Sequence, residues 1–179
     1  MGKENLNCLI FHGTDGHDQE NWFPWLKEEL EKMGIETQTP NFPDSKQPDL
    51  EKWLEHLSKY KINQNTILIG HSLGAVLILR LLEKGVKIKA GFLVAAFAND
   101  LGWEVLKRSH FFDNQFDWEK IKFNCNHFEV FTSKNDPHLK ISDGDFVADN
   151  LGVENQILDV DRHFNMKEFS LLLEKIRGL

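Results

Sequence analysis

No run of about 18 consecutive apolar residues occurs in the 179-residue chain, so nothing in it reads as a membrane-spanning helix. The opening Met1-Gly2-Lys3-Glu4-Asn5-Leu6 lacks the apolar stretch of a signal peptide. Leu6 stands where a myristoylation pattern beginning at Gly2 needs Ser or Thr. There are two cysteines, Cys8 and Cys125, far apart and in no C-x-x-C pair. They are expected to be reduced packing residues of a cytoplasmic protein. No block of Lys and Arg stands out against the net charge of −7, which argues against nucleic acid and anionic membrane as partners. Neither G-x-G-x-x-G nor G-x-x-x-x-G-K-[ST] is present, so dinucleotide and P-loop roles have no support. His12, Asp15, His17 and Asp18 lie close in sequence, but their spacing fits no zinc motif. No metal and no cofactor are therefore expected.

What remains is an ordinary globular composition, 41% hydrophobic and 27% charged, in a length that suits one domain over 1–179 with a sizeable core. Apolar runs of strand length alternate with segments of helical period. Strands are expected over 6–11, 35–39, 66–69, 90–97, 128–132 and 156–160. Helices are expected over 21–33, stopped by Gly34, then around 50–57, 75–82, 144–151 and 166–177. This rhythm predicts an α/β fold of three layers, with about six mostly parallel strands and helices on both faces. Residues 98–127 are the least regular stretch. Their aromatics, among them Trp103, Phe111, Phe112, Phe116, Trp118 and Phe123, suit either core packing or a pocket wall.

The main chemical signal is Gly70-His71-Ser72-Leu73-Gly74, between a short β-branched strand and an apolar helix. A nucleophilic serine of this fold sits on a sharp strand-to-helix turn in a strained backbone conformation. Side chains two residues to either side would clash, and glycine fills both places here. The turn aims the free N–H groups of the helix start at a developing oxyanion. A glycine-rich turn with an idle serine is the plain alternative, and the strand–turn–helix context speaks against it.

Serine needs a base, and the order expected along this fold is Ser, acid, His. His163 follows the last strand and is the candidate base. His127 opens a strand, His138 follows the acid loop too closely, and His110 lies in the irregular stretch. Asp136 follows the preceding strand and is the candidate acid, with Asp100 as its rival; Asp161 is too near His163 in sequence to reach round it. Pro137 suits the turn after Asp136. For the oxyanion, the backbone N–H of Leu73 is one expected donor. Thr14, in the loop after the first strand, is the favoured second, with Gly13 or Asp15 as alternatives. His12 reads as a turn residue rather than a proton carrier.

With these residues placed, the chain resembles the small serine hydrolases of the retinoblastoma-binding protein nine type, which include bacterial proteins of the YdeN group. The likeness runs through residues 22–30, Gly70-His71-Ser72, Asp100-Leu101-Gly102, Trp118-Glu119-Lys120-Ile121-Lys122, Asn135-Asp136-Pro137 and His163-Phe164. It implies a compact fold of the α/β-hydrolase kind with little or no lid, and a triad that falls on Ser72, Asp136 and His163. Two departures stand out. Arg162 occupies the place before the histidine where the family usually has glycine, and the glycine-rich first loop is reduced to Gly13-Thr14-Asp15-Gly16. The pocket-protein motif L-x-C-x-E is not carried over, because Leu6-Asn7-Cys8-Leu9-Ile10 ends in Ile inside a core strand. The expected function is hydrolysis of a small ester or amide through an acyl-serine. The alternative is a protein-interaction module on a hydrolase fold.

Overall fold

Cys8 to Phe11 are all buried, as are all residues of Thr66–His71 and Ala90–Val94. Unbroken apolar runs of this kind belong to strands covered on both faces, which is the situation of a parallel sheet in an α/β protein. The computed structural model describes residues 6–179, so Gly2 lies outside the described residues. Its elements in chain order are β1 (Asn7–Phe11), α1 (Phe23–Lys32), β2 (Glu36–Gln38), α2 (Leu50–Leu57), β3 (Thr66–His71), α3 (Leu73–Glu83), β4 (Ala90–Val94), α4 (Glu104–Lys107), α5 (Trp118–Asn124), β5 (Phe128–Ser133), α6 (Ile141–Leu151), β6 (Asn155–Leu158) and α7 (Ser170–Arg177). The strands form one six-stranded sheet in the order β2-β1-β3-β4-β5-β6, and every pairing is parallel. This is an α/β-hydrolase fold.

Right-handed crossovers fix the helix layers. The chain moves outward from β1 to β2, then back past β1 to β3 and onward to β6. The helix between β1 and β2 therefore covers one face, and those between later strands cover the other. The contacts agree: α1 packs with α7, while α3 packs with α5 and α5 with α6. Ten of the eleven residues of α3 are buried, which is why its sequence is apolar on nearly every side.

Element ends follow local chemistry. Asp49 and Asp117 cap α2 and α5, each accepting the N–H three residues on. Gly34 ends the turn after α1 at φ +81°, a conformation glycine adopts freely. The helix expected over 144–151 begins earlier, at Ile141, because the Asp143 carboxylate accepts the Lys140 N–H. Gly144 does not break it. A Cβ there would fall 2.0 Å from Thr132 Oγ1, so glycine lets α6 lie close against β5. The helix expected from 166 begins at Ser170. Met166 and Phe169 pack on the core from the preceding loop, which imitates helical spacing in the sequence.

The irregular stretch 98–127 contains α4 and α5, which the periodicity did not reveal. It is pinned by a buried arginine in the last turn of α3. Arg80 Nε donates to the Phe111 carbonyl (2.7 Å), Nη2 to the Asn114 carbonyl (2.6 Å) and Nη1 to Glu83 (2.6 Å). Its guanidinium lies 3.7 Å from the Phe116 ring centre. Glu83 in turn accepts the Asp117 N–H. Phe111 is fully buried, whereas Phe123 is 73% exposed, so this aromatic group divides between core and surface. Removing one member of a buried pair typically costs about 3–5 kcal/mol. Arg80→Met should accordingly destabilise the protein by about that much in urea titration, and a loss below about 1 kcal/mol would show that Arg80 does not anchor the segment.

Candidate active site

β1 and β3 are neighbours, yet the chain leaves them in opposite directions. The loops that follow diverge and open a crevice beyond the strand ends, the usual ligand position in an open parallel sheet. Two segments singled out in the sequence flank it: His12-Gly13-Thr14 after β1 and the turn at Ser72 after β3.

Ser72 has φ +56° and ψ −123°, a strained conformation for any residue with a side chain. Its N–H is held by the Val94 carbonyl at 2.9 Å. A Cβ on Gly70 would lie 2.5 Å from the Ala75 nitrogen, and one on Gly74 would lie 2.4 Å from the Phe11 carbonyl oxygen. These are the clashes that demand glycine on both sides of the serine. Gly13 belongs to the same constraint. A Cβ there would come within 2.8 Å of Ser72 Cβ and 3.3 Å of the Leu73 nitrogen. The first loop thus lies directly on the turn.

That contact bears on the two expected oxyanion donors. The Asp15 N–H is engaged by the Ser45 carbonyl at 2.7 Å, which removes one alternative. The N–H groups of Thr14 and Leu73 have no acceptor among the described residues, and Thr14 lines the same cavity as Ser72. His12 is a buried tether. Its Nδ1 donates to the Gly13 carbonyl (2.9 Å) and its Nε2 accepts the Phe42 N–H (2.9 Å). Burial, partly offset by the Gly13 bond, lowers its pKa, so it is held neutral.

His163 and Asp136 meet at the ends of β5 and β6. Nδ1 of His163 lies 2.5 Å from Asp136 Oδ2, with the Asp136 side chain 1% and the His163 side chain 15% exposed. Asp136 Oδ1 accepts the N–H groups of His138 (2.8 Å) and Leu139 (3.1 Å). Burial pushes the Asp136 carboxyl up. The hydrogen bond and charge of His163, with the two N–H groups, outweigh that and hold it below its ordinary 3.8. Its contribution to stability is therefore complete above pH 3.8 and is lost as pH falls through the lower folded value. Asp100 is engaged otherwise, accepting the Gly102 N–H at 2.8 Å. His110 pairs with Asp113 at 2.8 Å on the surface, and His127 stands 3.7 Å from Glu129.

Ser72, His163 and Thr14 open onto one cavity of about 390 Å³. Its other polar walls are Asp15 and His138, and its apolar walls are Phe97, Leu101, Trp103, Leu106 and Leu139. Sequence reasoning set His138 aside and left Trp103 undecided. His138 lies edge-on to His163, ring centres 5.3 Å apart, and Trp103 lies edge-on to His138 at 5.6 Å. The signal for His138 was its place two residues after Asp136. A larger hollow of about 660 Å³ lies around Arg80 and His110, but no nucleophile lines it and its charged groups pair among themselves. Among the described residues no group of His, Cys, Asp and Glu is arranged to hold a metal ion, and no helix is long and apolar enough to cross a membrane. Cys8 and Cys125 are free and buried, and burial raises both thiol pKa values.

Residues 8–175 match the family model of serine hydrolases. The chain belongs to that family. It is 32% identical over 176 residues to the serine hydrolase RBBP9 of Rattus norvegicus, covering 96% of this chain and 94% of that protein. It is 38% identical over 138 residues to YdeN of Bacillus subtilis, covering 74% and 72%. The crystal structure of the B. subtilis ydeN product superposes with a TM-score of 0.88 at 29% identity, over 97% of both chains. Est1E of Butyrivibrio proteoclasticus shares the fold, with a TM-score of 0.70 at 15% identity over 97% of this chain and 86% of that one.

In this serine hydrolase the departure at Arg162 has a structural consequence. Arg162 has φ +41° and Phe164, fully buried, has φ +59°. The left-handed region costs a residue with a side chain about 1–2 kcal/mol. Glycine avoids that cost but loses about 0.4–1 kcal/mol through the freer unfolded chain. Arg162→Gly should therefore raise stability modestly, by up to about 1 kcal/mol. Arg162→Val should lower it, since β-branched residues tolerate positive φ least. Paired urea melts measure both, and a glycine variant less stable than the valine variant would contradict the strain at this position.

Proposed function

We propose that this serine hydrolase cleaves an ester or amide of a small molecule through an acyl-serine intermediate, with Ser72 as nucleophile, His163 as base and Asp136 as its orienting acid. The observation that carries the reading is the 2.5 Å contact between His163 and a buried Asp136, on the same cavity as a serine at positive φ.

Ser72 Oγ attacks the substrate carbonyl while its proton passes to Nε2 of His163. Asp136 holds the other ring nitrogen and stabilises the imidazolium. The carbonyl oxygen, now negative, is received by the N–H groups of Leu73 and Thr14. His163 returns the proton to the departing alcohol or amine as the bond to it breaks, leaving Ser72 acylated. Water then repeats the sequence: it gives a proton to His163, attacks the acyl carbon, and Ser72 leaves with that proton. Among the described residues the Ser72 hydroxyl has no hydrogen bond, so its approach to Nε2 is left to rotation of a short side chain. Catalytic hydrogen bonds of this kind often tighten only with substrate. The apolar walls suit an uncharged acyl or leaving group. No step calls for a metal or cofactor.

Fluorophosphonate labelling and steady-state ester hydrolysis test the assignment together. Ser72→Ala should abolish labelling and turnover in a folded protein. Asp136→Asn should lower kcat by about 10²–10⁴ with KM little changed, because a neutral amide leaves the imidazolium unsupported and favours the wrong tautomer. Asp100→Asn should be near normal. Parent-rate hydrolysis by Ser72→Ala would sink the proposal, and a crippled Asp100→Asn beside a normal Asp136→Asn would move the acid to β4.

A further inference from the structure

His71 is the residue immediately before the candidate nucleophile, and the reaction above does not use it. It is 4% exposed. Its Nε2 donates to the backbone carbonyl of His163 at 2.9 Å. Its ring lies 4.7 Å from the His163 ring and is enclosed by Trp22 and Phe23 at 6.4 and 6.0 Å between centres. Among the described residues, its Nδ1 has no hydrogen-bond partner.

The loop that carries His163 is tied at its start, where Asn135 Nδ2 donates to Asp159 Oδ1 and to the Val160 carbonyl and Ser133 Oγ donates to the Val160 carbonyl, but it has few anchors beyond that point. Between β6 and α7, residues 161–168 belong to no helix or strand. Among the described residues, two hydrogen bonds join these eight residues to the rest of the protein: Asp136 to the His163 ring and His71 to the His163 backbone. Both end on His163. The remaining bonds are internal, from the His163 N–H to Asn165 Oδ1 and from the Asn165 N–H to the Asp161 carbonyl. The residues on either side of His163 both hold positive φ, so this backbone is in a conformation that its own preferences do not maintain. A carboxylate can orient an imidazole, but it cannot fix the height of the backbone that bears it.

We propose that His71 is a positioning residue for catalysis: through its bond to the His163 carbonyl it locks the base-bearing loop to the turn that presents Ser72. One peptide bond separates His71 from Ser72, so nucleophile and base are joined by a short closed path of backbone, ring and one hydrogen bond. The inference rests on the roles proposed for Ser72 and His163. It also accounts for a buried histidine with a bare ring nitrogen where an apolar residue would leave no polar atom unmatched. Burial first, and the nearby His163 charge second, push the His71 pKa down to about 3. The ring is therefore neutral at working pH and adds no charge beside the imidazolium that forms during the reaction.

The test is a series at one position, read by kcat and KM separately on an activated ester. His71→Gln carries an amide N–H at the same number of bonds from Cβ as Nε2 and should keep the bond. His71→Met fills similar space without a donor, and His71→Asn has a donor too short to reach. A displacement of the order of 1 Å in a catalytic group can cost about 10²-fold in rate. Met and Asn should lose between about 10-fold and 10²-fold in kcat with KM within about two-fold, and Gln should stay within about five-fold of the parent. Urea melts identify any variant that fails to fold; if Met does so, the Asn–Gln pair decides. Equal kcat for the folded donor-less variants and the parent would overturn the positioning role, as would a Gln variant as impaired as Met. Ser72→Ala, run alongside, separates the two failures. If it is inactive while the His71 series is flat, only the positioning role falls; if it retains activity, the triad reading falls first.

Discussion

The close approach of three backbone segments at Ser72 is the constraint on which the site depends. The strand-to-helix turn, the end of β1 and the first loop meet with no room for a Cβ at Gly13, Gly70 or Gly74. That crowding keeps Ser72 at φ +56°, a conformation an isolated chain would abandon. The surrounding parallel sheet makes the crowding rigid, since β1 and β3 are central strands buried on both faces. The consequences are chemical. Ser72 and Thr14 line the same cavity before any substrate arrives, and the N–H groups of Thr14 and of Leu73, next in the chain after the serine, have no acceptor among the described residues. Donors set in place beforehand need no reorganisation during the reaction, the condition under which such groups stabilise charge most.

The proposed base is held on the opposite principle. His163 rides on a loop outside the regular elements, anchored by two hydrogen bonds and by the buried ring of Phe164. A histidine there can be held tightly by few contacts because both polar anchors converge on it. Asp136 is able to serve because its own turn is closed by the His138 and Leu139 N–H groups, which fix the carboxylate while leaving Oδ2 for the imidazole. Hydrogen bonds to the charged form are also what hold this buried acid ionised against the cost of desolvation.

Much of this was legible in the sequence, for identifiable reasons. Parallel strands covered on both faces appear as apolar runs, so their number and approximate limits along the chain could be read, though not their order in the sheet. The turn at Ser72 was legible because a steric requirement writes glycine at fixed offsets. Asp136 and His163 stood out as candidates because each follows a strand end, and the fold brings their side chains together. The less legible features depend on contacts distant along the chain. Arg80 looks like an interruption of an apolar helix until its partners, some thirty residues on, are seen. α4 and α5 are too short for periodicity to register. Met166 and Phe169 are spaced like a helix because both pack on the core, although from a loop. His71 gave no signal of its own, since its partner is a backbone carbonyl 92 residues away.

In the proposed reading, chemistry and selectivity have separate sources in this chain. The proposed reacting groups follow the ends of β1, β3, β5 and β6; the sheet fixes Ser72 and the first loop, while His163 depends on its two hydrogen bonds. Four of the cavity's apolar walls, Phe97, Leu101, Trp103 and Leu106, come from the segment between β4 and β5. That segment is held by Arg80 and Glu83 of α3, by the Leu50 N–H donating to the Ser109 carbonyl, and by the Ala95 N–H donating to the Phe131 carbonyl of β5. A change in the segment can alter the shape of the pocket without disturbing Ser72, because no wall residue there bonds to the turn. The reverse does not hold. Gly13, Gly70 and Gly74 touch backbone directly, and enlarging any of them would move the nucleophile itself. In the proposed reading, the nucleophile is fixed by β1 and β3, and the shape of the pocket by the segment between β4 and β5.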